Sequence, residues 1–363
     1  MRNQLQPFTL NQGALHMAQR IRPKKKDKVT IYDVAREAGV AISTVSRVLN
    51  NSSDVSEETR QRVLRAIEKL QFRPDRTART LAQKKTRVLA VAVTSFTTPF
   101  HNEILKGVRT AMENVDADLL LSDLGSKYPQ QKLLNFLRRG AVDGLLVIGL
   151  PADEKLTLEL RALHAPVVMV GYHHTDFDCF YWDDRVGARK AVEHLIACGH
   201  RRIGMIRSHT EGSLQLDRIA GYREALEAAG IPFDPELVRA GKTEKHAGFS
   251  EEAGYEAMQD LLKIEPRVTA VFASSDVQAI GAWKALREAG LRVPEDVALV
   301  GYDDIKISEY IGLSSVSQNM HAVGREATRL LVERVEGKRQ DPPLEVLVVP
   351  QLKIRYSSDC GRA

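Results

Sequence analysis

Residues 29–51 read VTIYDVAREAGVAISTVSRVLNN and decide how the first part of the chain folds. The three-residue spacing of Thr30 and Asp33 predicts the start of a helix, because these residue types can cap the unpaired backbone groups of a first turn. Gly39 predicts its end, since glycine readily adopts the left-handed conformation that follows a helix. Apolar residues then resume at helical spacing between Ile42 and Leu49. The stretch therefore predicts two short helices joined by a tight turn, a helix-turn-helix.

The second of these helices is predicted to expose one polar face. That face carries Ile42, Ser43, Ser46, Arg47 and Asn50. Short polar side chains and an arginine that suits guanine fit the major groove of DNA. For this stretch taken alone, an ordinary helical hairpin with a polar surface is the alternative interpretation.

Positive charge is concentrated near the N-terminus. Residues 1–87 contain 19 Lys and Arg against 8 Asp and Glu, a balance of +11, whereas the remaining residues contain 33 against 39. Neutralisation of phosphates by one end of a chain requires such an asymmetry, which predicts binding that weakens strongly with salt. The lysine-rich run at 24–28 is by itself more typical of a solvated tail, so residues 1–27 are predicted to be a flexible basic arm.

A third helix is predicted to begin at Ser56, because two glutamates follow in the first turn, where the helix dipole favours acidic side chains. Its apolar face should pack on the first two helices and form a small core. The face comprises Val63, Ile67 and Leu70, and its partners are Val34, Val45 and Val48. The three helices define a head over residues 28–73. Residues 74–86 contain few apolar side chains, and their pattern alone is that of a flexible linker.

From Val88 onward, short apolar runs alternate with helical segments. The runs are VLAVAV (88–93), DLLL (118–121), GLLVIG (144–149), PVVMV (166–170), RIGMI (202–206), AVFA (270–273) and VALVG (297–301). This alternation predicts an α/β core with buried parallel strands over residues 87–358, followed by a short tail at 359–363.

The head segment, VTIYDVAREAGVAISTVSRVLN followed by VSEETRQRVLRAIEKLQFRP and DRTARTLAQKKT, resembles the DNA-binding head and hinge of the LacI/GalR family of bacterial transcriptional regulators. The resemblance continues through VEHLIACGHRRIGMI, DRIAGYREAL, ASSDVQAIGAWKAL, VALVGYDD and SSVSQNM, and covers roughly residues 28–357. It implies a homodimeric regulator, most often a repressor, that binds a pseudo-palindromic operator in double-stranded DNA. A small effector, a sugar or sugar derivative, would control it, and no cofactor is implied.

The resemblance assigns roles to residues of the head and hinge. Base edges are expected to be read by Ile42, Ser43 and Arg47. Contacts to the DNA backbone are expected from Thr30, Tyr32, Thr44, Ser46, Asn50 and Thr59. Residues 74–86 would become a hinge helix on DNA, with Arg76, Ala78 and Leu81 at the minor groove. Asp75 departs from the family pattern, because it places a negative charge near phosphates.

The family fold implies that the core consists of two parallel-sheet lobes of the periplasmic sugar-binding type. Crossovers near 190, 318 and 345 would give an N-lobe of about 87–190 plus 319–345 and a C-lobe of about 191–318 plus 346–358. Effector binding is expected to rotate one lobe on the other.

Ligands of such sheets bind beyond the carboxyl ends of the strands. Residues at those ends, together with the family pattern, predict an effector site that comprises Thr94, Phe96, Phe100, Tyr172, Trp182, Arg218, Ser275, Asp303 and Met320. The family pattern is broken at Gly171, Thr243 and Ser275, so the ligand of a relative does not transfer directly. The carboxylates of Asp183, Asp276 and Asp304 also follow strand ends and are interpreted at least equally well as helix caps.

Composition excludes several other classes of protein. With 43% hydrophobic and 27% charged residues the chain is typical of a globular protein, and no apolar run approaches the ~20 residues that span a bilayer. The N-terminus lacks the apolar core of a secretory signal, so we expect a cytoplasmic, nucleoid-associated protein without membrane contact. Cys179, Cys198 and Cys360 are odd in number and widely spaced, which predicts neither a disulfide framework nor a zinc site. Residues 173–179 are rich in potential metal ligands, but their spacing favours a solvated loop.

The sequence contains no Walker A loop, GxGxxG, HExxH or GxSxG motif, so no catalytic residue is assigned and the chain is not expected to be an enzyme. Three alternatives remain open. One is a global regulator with a protein corepressor, and the others are a cytoplasmic sugar-binding protein and an enzyme that acts on a sugar.

Overall fold

The computed structural model describes residues 29–49, 52–72, 86–125, 127–209 and 211–361. The chain divides into two compact units, residues 1–85 and residues 86–363. None of the helices in the described segments combines the length and the hydropathy that crossing a lipid bilayer requires.

The first unit contains three helices, α1 (Ile31–Ala38), α2 (Ile42–Leu49) and α3 (Glu57–Leu70). The backbone N–H of Thr30 donates to Oδ2 of Asp33 at 2.9 Å, so the predicted cap of α1 is present. Gly39 ends α1 with a φ of +65°, the left-handed region that the turn requires. The predicted core is confirmed, with Val34, Ala35, Ala38, Val45, Val48, Val63, Ala66 and Phe72 buried together and Ile67 and Leu70 packed against them.

The second unit is an α/β core built on two six-stranded sheets. The strands of the first sheet are β1 (Val88–Val93), β2 (Asp118–Asp123), β3 (Gly144–Ile148), β4 (Val167–Val170), β5 (Asp178–Trp182) and β11 (Glu345–Val348), in the order β11-β5-β4-β3-β1-β2. All neighbouring strands in it are parallel. The first lobe's helices are α4 (Pro99–Met112), α5 (Pro129–Leu137), α6 (Glu154–Arg161) and α12 (Met320–Val335). α4 and α12 cover one face of this sheet, and α5 and α6 cover the other.

The second sheet comprises β6 (Ile203–Arg207), β7 (Val238–Ala240), β8 (Ala270–Ala273), β9 (Ala298–Asp303), β10 (Ser314–Ser317) and β12 (Gln351–Lys353), in the order β12-β10-β9-β8-β6-β7. Its strands are parallel except for the antiparallel pair β10 and β12. The second lobe's helices are α7 (Asp184–Ala197), α8 (Ser213–Ala228), α9 (Glu251–Leu261), α10 (Asp276–Glu288) and α11 (Lys306–Ile311), and short 3-10 helices lie at Pro235–Leu237, Lys245–Gly248 and Tyr356–Ser358. α7 and α8 pack on one face, and α9 and α10 pack on the other.

The chain crosses between the lobes three times, but two crossings differ from the expected positions. β5 ends at Trp182 and the next helix, α7, already packs on the second sheet, so the first crossing lies at 183 instead of near 190. The second lies at 318–319, between β10 and α12. The third lies at 349–350 instead of near 345, because β11 pairs with β5 of the first sheet. The apolar spacing of a helix or strand does not reveal which sheet it joins.

All seven apolar runs form strands, whereas β5, β7, β10, β11 and β12 were not predicted. All five are edge strands or neighbours of an edge. β7, β10 and β12 have three or four residues and include polar side chains, so they lack the continuous apolar run that marks a strand buried on both faces. β5 contains four apolar residues in a row and β11 overlaps another such run at 346–349, and both were overlooked.

The prediction that the cysteines form no disulfide was wrong. Cys198 and Cys360 form a disulfide with their Cα atoms 5.6 Å apart, and Cys179 is a buried thiol. The two bonded cysteines lie 162 residues apart, and only the packing of the C-terminal segment against the end of α7 brings them together.

Candidate functional site

The exposed face of α2 is the candidate recognition surface of the head. Ile42 is 40% exposed although it is a large apolar residue, and Ser43 and Arg47 are also exposed. Val45 and Val48 on the opposite side are buried in the three-helix core. The face predicted to read bases is therefore accessible, and the helix is held from behind by apolar packing.

The predicted phosphate contacts of the head have varied surroundings. Tyr32 is 63% exposed, whereas Thr44 and Ser46 are half-buried. The hydroxyl of Thr30 donates to Oδ2 of Asp33 at 2.7 Å, so it must rotate before it can donate to a phosphate. Oγ1 of Thr59 accepts from the hydroxyl of Ser56 at 3.0 Å, which leaves the proton of Thr59 able to point outward. The remaining predicted contacts, at Asn50, Arg76, Ala78 and Leu81, lie outside the described residues.

Arg218 is the centre of a buried charge cluster in the core. Its Nε donates to Oδ1 of Asp184 at 2.7 Å, and an Nη donates to the carbonyl oxygen of Ser274 at 2.5 Å. The guanidinium carbon lies 3.8 Å from the ring centroid of Tyr302. Burial alone would lower the pKa of Arg218, but Asp184, Tyr302 and Asp303 raise it overall, so the guanidinium stays charged.

Close helix packing positions this ion pair. Gly221 lies one turn after Arg218 on α8, and a Cβ at this glycine would lie 2.1 Å from the carbonyl oxygen of Arg185 on α7. Any larger residue would push the two helices apart. The glycine thus allows Asp184, at the start of α7, to reach Arg218.

Asp303 ends β9 beside this cluster and is 7% exposed. Its carboxylate accepts no hydrogen bond from any of the described residues, and its φ of +107° lies in the region that disfavours side chains. Burial raises the pKa of Asp303 well above its usual range, Arg218 opposes this, and the carboxylates of Asp276 and Asp184 raise it further. Asp303 is therefore a buried acid that faces the charge of Arg218 but forms no hydrogen bond through its carboxylate with the described residues.

Two buried amides add unpaired atoms of their own. Nε2 of Gln215, on α8, has no partner among the described residues, although its Oε1 accepts from the backbone and hydroxyl of Ser208. Oε1 of Gln318, at the second crossing, is likewise unpaired, while its carbonyl oxygen accepts from Nε1 of Trp182 at 2.7 Å. Buried polar atoms without partners are costly, so they indicate a site that a polar ligand completes.

Two aromatic side chains of the first lobe lie together among the predicted effector residues. The rings of Phe100 and Trp182 meet edge to face with centroids 5.9 Å apart, and Met320 is buried in the same apolar cluster. Val277 and Ile305 of the second lobe belong to this cluster too. Three of the predicted lining residues are thus brought together where the lobes meet.

His101 was not predicted as a site residue, but it lies among those that were. One ring nitrogen lies 3.1 Å from Oγ1 of Thr94, and the other lies 2.5 Å from Oγ1 of Thr98. Burial lowers the pKa of His101 to about 4, Asp123 opposes this, and His246 of the second lobe lowers it further. The imidazole is therefore neutral at pH 7 and fixes the hydroxyl of Thr94.

The other predicted effector residues, Tyr172, Phe96 and Ser275, have different surroundings. Burial raises the pKa of Tyr172, with a further rise from Asp184 and an opposing effect from Arg218, so this tyrosine lies within electrostatic reach of the ion pair. Phe96 is 46% exposed beyond β1. Oγ of Ser275 accepts from the backbone N–H of Gln278 and caps α10, so its hydroxyl is occupied within its own helix.

Three carboxylates at strand ends have structural roles. Asp183 caps α7 through the backbone N–H of Val186. Asp276 accepts from the backbone N–H of Ile305 and from the hydroxyls of two serines, Ser308 and Ser315. Asp304 pairs with Arg355 at 2.6 Å. The capping interpretation is borne out for Asp183, and the other two hold loops together.

Asp184 and Gln215 were not assigned to the predicted effector site. Asp184 follows a strand end, as Asp183 does, but its partner Arg218 lies 34 residues later in the chain. Asp184 could have been found by asking which carboxylate pairs with Arg218, because a buried arginine requires a partner of opposite charge.

The loop 173–179 uses its polar side chains within the first lobe. His173 approaches Glu345 at 2.8 Å, His174 approaches Thr157 at 3.0 Å, and Asp178 forms an ion pair with Arg334 at 2.8 Å. The described residues contain no group of three or more His, Cys, Asp or Glu side chains arranged to hold a metal ion.

Comparison with known proteins agrees with this architecture. Residues 30–75 match the family model for bacterial regulatory proteins of the lacI family, and residues 192–358 match that for a periplasmic binding protein-like domain. The HTH-type transcriptional regulator CelR of Thermobifida fusca is 36% identical over 92% of this chain and 99% of its own.

Solved structures share the fold. A complex of the transcriptional regulator CelR with cellobiose aligns with a TM-score of 0.65 at 36% identity, over 91% of this chain and 99% of that chain. A lac repressor dimer bound to operator and the anti-inducer ONPF aligns with a TM-score of 0.77 at 28% identity and the same coverage. The chain belongs to the LacI family of bacterial regulatory proteins and is a DNA-binding transcriptional regulator, not an enzyme.

Proposed function

We propose that the protein is a homodimeric repressor that binds a pseudo-palindromic operator and whose DNA affinity is set by a neutral carbohydrate bound between the lobes of the core. The observation that carries the effector assignment is the buried carboxylate of Asp303 beside the ion pair of Arg218 and Asp184, together with the buried polar atoms of Gln215 and Gln318 that have no hydrogen-bond partner among the described residues. The DNA assignment is supported by the exposed face of α2 and the excess positive charge of residues 1–87.

The head would use its side chains in two ways. Sequence would be read by Ile42, Ser43 and Arg47 in the major groove. The position of the head along the DNA would be fixed by contacts to the DNA backbone from Thr30, Tyr32, Thr44, Ser46, Asn50 and Thr59. The hinge residues Arg76, Ala78 and Leu81 would enter the minor groove between the two half-sites. Binding to the chromosome in this way would make the protein cytoplasmic and nucleoid-associated.

The charges of the core cluster favour a neutral effector. Asp184, Asp303 and Arg218 together bear one net negative charge when both carboxylates are ionised, and none when Asp303 holds the proton that its raised pKa favours. In neither state does the cluster offer the excess positive charge that would stabilise a phosphate or carboxylate group in a region of low dielectric constant. Sugar hydroxyls can instead donate to the carboxylate of Asp303 and to Oε1 of Gln318, and accept from Nε2 of Gln215.

We expect the remaining predicted effector residues to line the proposed effector site. Phe100 and Trp182, with Met320 behind them, offer apolar edges to the carbon face of a sugar ring. Thr94 and Tyr172 would contribute hydroxyls, while Phe96 would lie at the rim. Because Ser275 is committed to capping α10, we expect it to contribute less than the other residues of the set.

Exposed apolar residues on the core support a homodimer. The edge strand β2 exposes Leu119, Leu120 and Leu121 by 37%, 45% and 48%. On α11, Tyr310 is 73% exposed and Ile307 is 47% exposed. An exposed edge strand with three consecutive leucines invites pairing with another chain, and a two-fold symmetric protein suits a pseudo-palindromic site.

The first experiment is selection of bound sequences from a random pool of DNA duplexes at two salt concentrations. We expect a pseudo-palindrome with a flexible pyrimidine–purine step at its centre, where Leu81 would insert. Binding that is sensitive to salt but blind to sequence would refute the reader assignment.

The second experiment uses the selected operator in a fluorescence anisotropy titration with cellobiose, ribose and glucose 6-phosphate. Cellobiose is tested first because a relative's structure contains it. We expect a neutral sugar to change operator affinity and the phosphorylated sugar to have no effect. A response to glucose 6-phosphate alone would refute the proposal of a neutral effector.

A further inference from the structure

The three cysteines differ in their exposure to solvent. Cys198 is half-buried at the C-cap of α7, and Cys360 is exposed close to the C-terminus. Cys179 is completely buried, and burial raises the pKa of its thiol, which makes it unreactive. The accessible cysteines are the two that form the disulfide.

A histidine lies against this disulfide. The ring nitrogens of His194, one turn before Cys198 on α7, lie 3.9 and 4.0 Å from Sγ of Cys198. Nε2 of His194 also lies 2.9 Å from both the carbonyl oxygen and Oγ of Ser358. The segment that ends in Cys360 therefore holds the imidazole beside the sulfur, where it can exchange a proton with the Cys198 thiol.

We propose that Cys198 and Cys360 form a reversible thiol–disulfide exchange site whose substrate is the disulfide of a low-molecular-weight thiol. In the oxidising direction, the thiol of Cys360 loses its proton and its thiolate attacks one sulfur of the small disulfide, whose S–S bond breaks. The small thiolate that leaves takes up a proton in place of the one that Cys360 released. Cys198 then gives its proton to His194 and attacks the sulfur of Cys360. This expels the second small thiol, which takes up the proton. Two protein thiols lose two electrons, and one small disulfide is reduced to two thiols.

The disulfide fastens a segment that supports the second lobe. Arg355 pairs with Asp304 at 2.6 Å, and Oγ of Ser357 donates to the carbonyl oxygen of Leu299 on β9 at 2.6 Å. The crosslink spans 162 residues, so its reduction frees a long loop in the unfolded chain. Oxidation should therefore stabilise the lobe that holds Arg218 and Asp303, independently of whether DNA or effector is bound.

The test is a redox titration of the full-length protein in graded ratios of reduced to oxidised glutathione, quenched with acid and labelled with iodoacetamide. Peptide mass spectrometry should show the Cys198–Cys360 link at oxidising ratios and two labelled cysteines at reducing ratios. Cys179 serves as the internal control and should be labelled only after denaturation. A pair that stays unlinked at the most oxidising ratio, or linked at the most reducing one, would overturn the proposal.

Variants of the two cysteines test how the disulfide affects stability, and a variant of His194 tests how the disulfide forms. Oxidised wild type should melt about 5–10 °C above the reduced form, whereas Cys360→Ser and Cys198→Ser should melt alike with and without dithiothreitol. In His194→Gln, a mixed disulfide at Cys360 should accumulate because the second attack is slowed. If the link forms in this variant at the wild-type rate, and with the same dependence on pH, the role of His194 is wrong.

Discussion

Replacement of Asp303 by Asn should make the protein more stable while it weakens the effector response. The wild-type carboxylate is buried beside Asp184 and accepts no hydrogen bond from the described residues. The amide has nearly the same shape and no charge, and asparagine tolerates positive φ better than most residues, which suits the φ of +107° at this position. If Asp303 binds the effector as proposed, its carboxylate exchanges stability for ligand binding.

The size of the stability gain in Asp303→Asn follows from the linkage between proton binding and folding. Since the pKa of Asp303 is raised in the folded protein, the folded state holds a proton that the unfolded state releases above a pH of about 4. Wild-type stability therefore falls as the pH rises from that point to the folded pKa, and the Asn variant lacks this loss. The advantage of Asp303→Asn should grow by about 1.4 kcal/mol per pH unit over this window, a Tm difference of about 3–5 °C per unit.

The assay is thermal unfolding between pH 4 and pH 8, together with effector titration at pH 7. We expect about 10- to 100-fold weaker effector binding in Asp303→Asn, because charge-assisted hydrogen bonds to the sugar hydroxyls are lost. Asp304→Asn is the matched control, since it breaks the pair with Arg355 and should lower stability while the effector response remains. A variant at 303 that is less stable than wild type at pH 7, or whose advantage does not change with pH, would refute the reasoning.

Three further substitutions test other parts of the molecule. Arg47→Ala should change sequence preference by about 1–3 kcal/mol at one base pair in a competition assay, and an equal loss for all sequences would contradict base reading. Arg218→Ala should cost about 3–5 kcal/mol in urea unfolding because it leaves Asp184 buried without its partner, and a loss below about 1 kcal/mol would show that the ion pair is not needed. Leu120→Glu should convert the dimer to monomer in sedimentation velocity, whereas an unchanged dimer would exclude β2 from the interface.

The head and the central strands could be predicted because their signals are local. Thr30, Asp33 and Gly39 bound a helix through contacts within a few residues, and the structure places the cap and the turn as expected. The apolar runs of β1, β3, β4 and β9 form strands because both faces of each sheet are covered by helices. Local pattern could not reveal that α7 belongs to the second lobe, since its apolar face would suit either sheet.

The candidate effector site could be predicted only in part. Strand ends pointed to Asp303 and the family pattern pointed to Arg218, but neither showed that Asp184 pairs with Arg218, because that contact joins residues 34 positions apart. Ser275 was expected to face a ligand, yet it caps α10, because a serine in front of a helix satisfies its first turn. The disulfide joins residues 162 positions apart and has no local signal at all.

The candidate effector site contains several features that destabilise the core, and its surroundings compensate for them. Asp303 has a positive φ, and Oδ2 of Asp184 and Nε2 of Gln215 are buried without a hydrogen-bond partner among the described residues. Next to them, Asp276 accepts three hydrogen bonds although burial raises its pKa to about 7, and Arg355 pairs with Asp304. A site with unsatisfied buried groups persists only where its neighbours overdetermine the backbone. The segment from Arg355 to the disulfide is part of that support, so the C-terminal segment stabilises the lobe that holds Arg218 and Asp303.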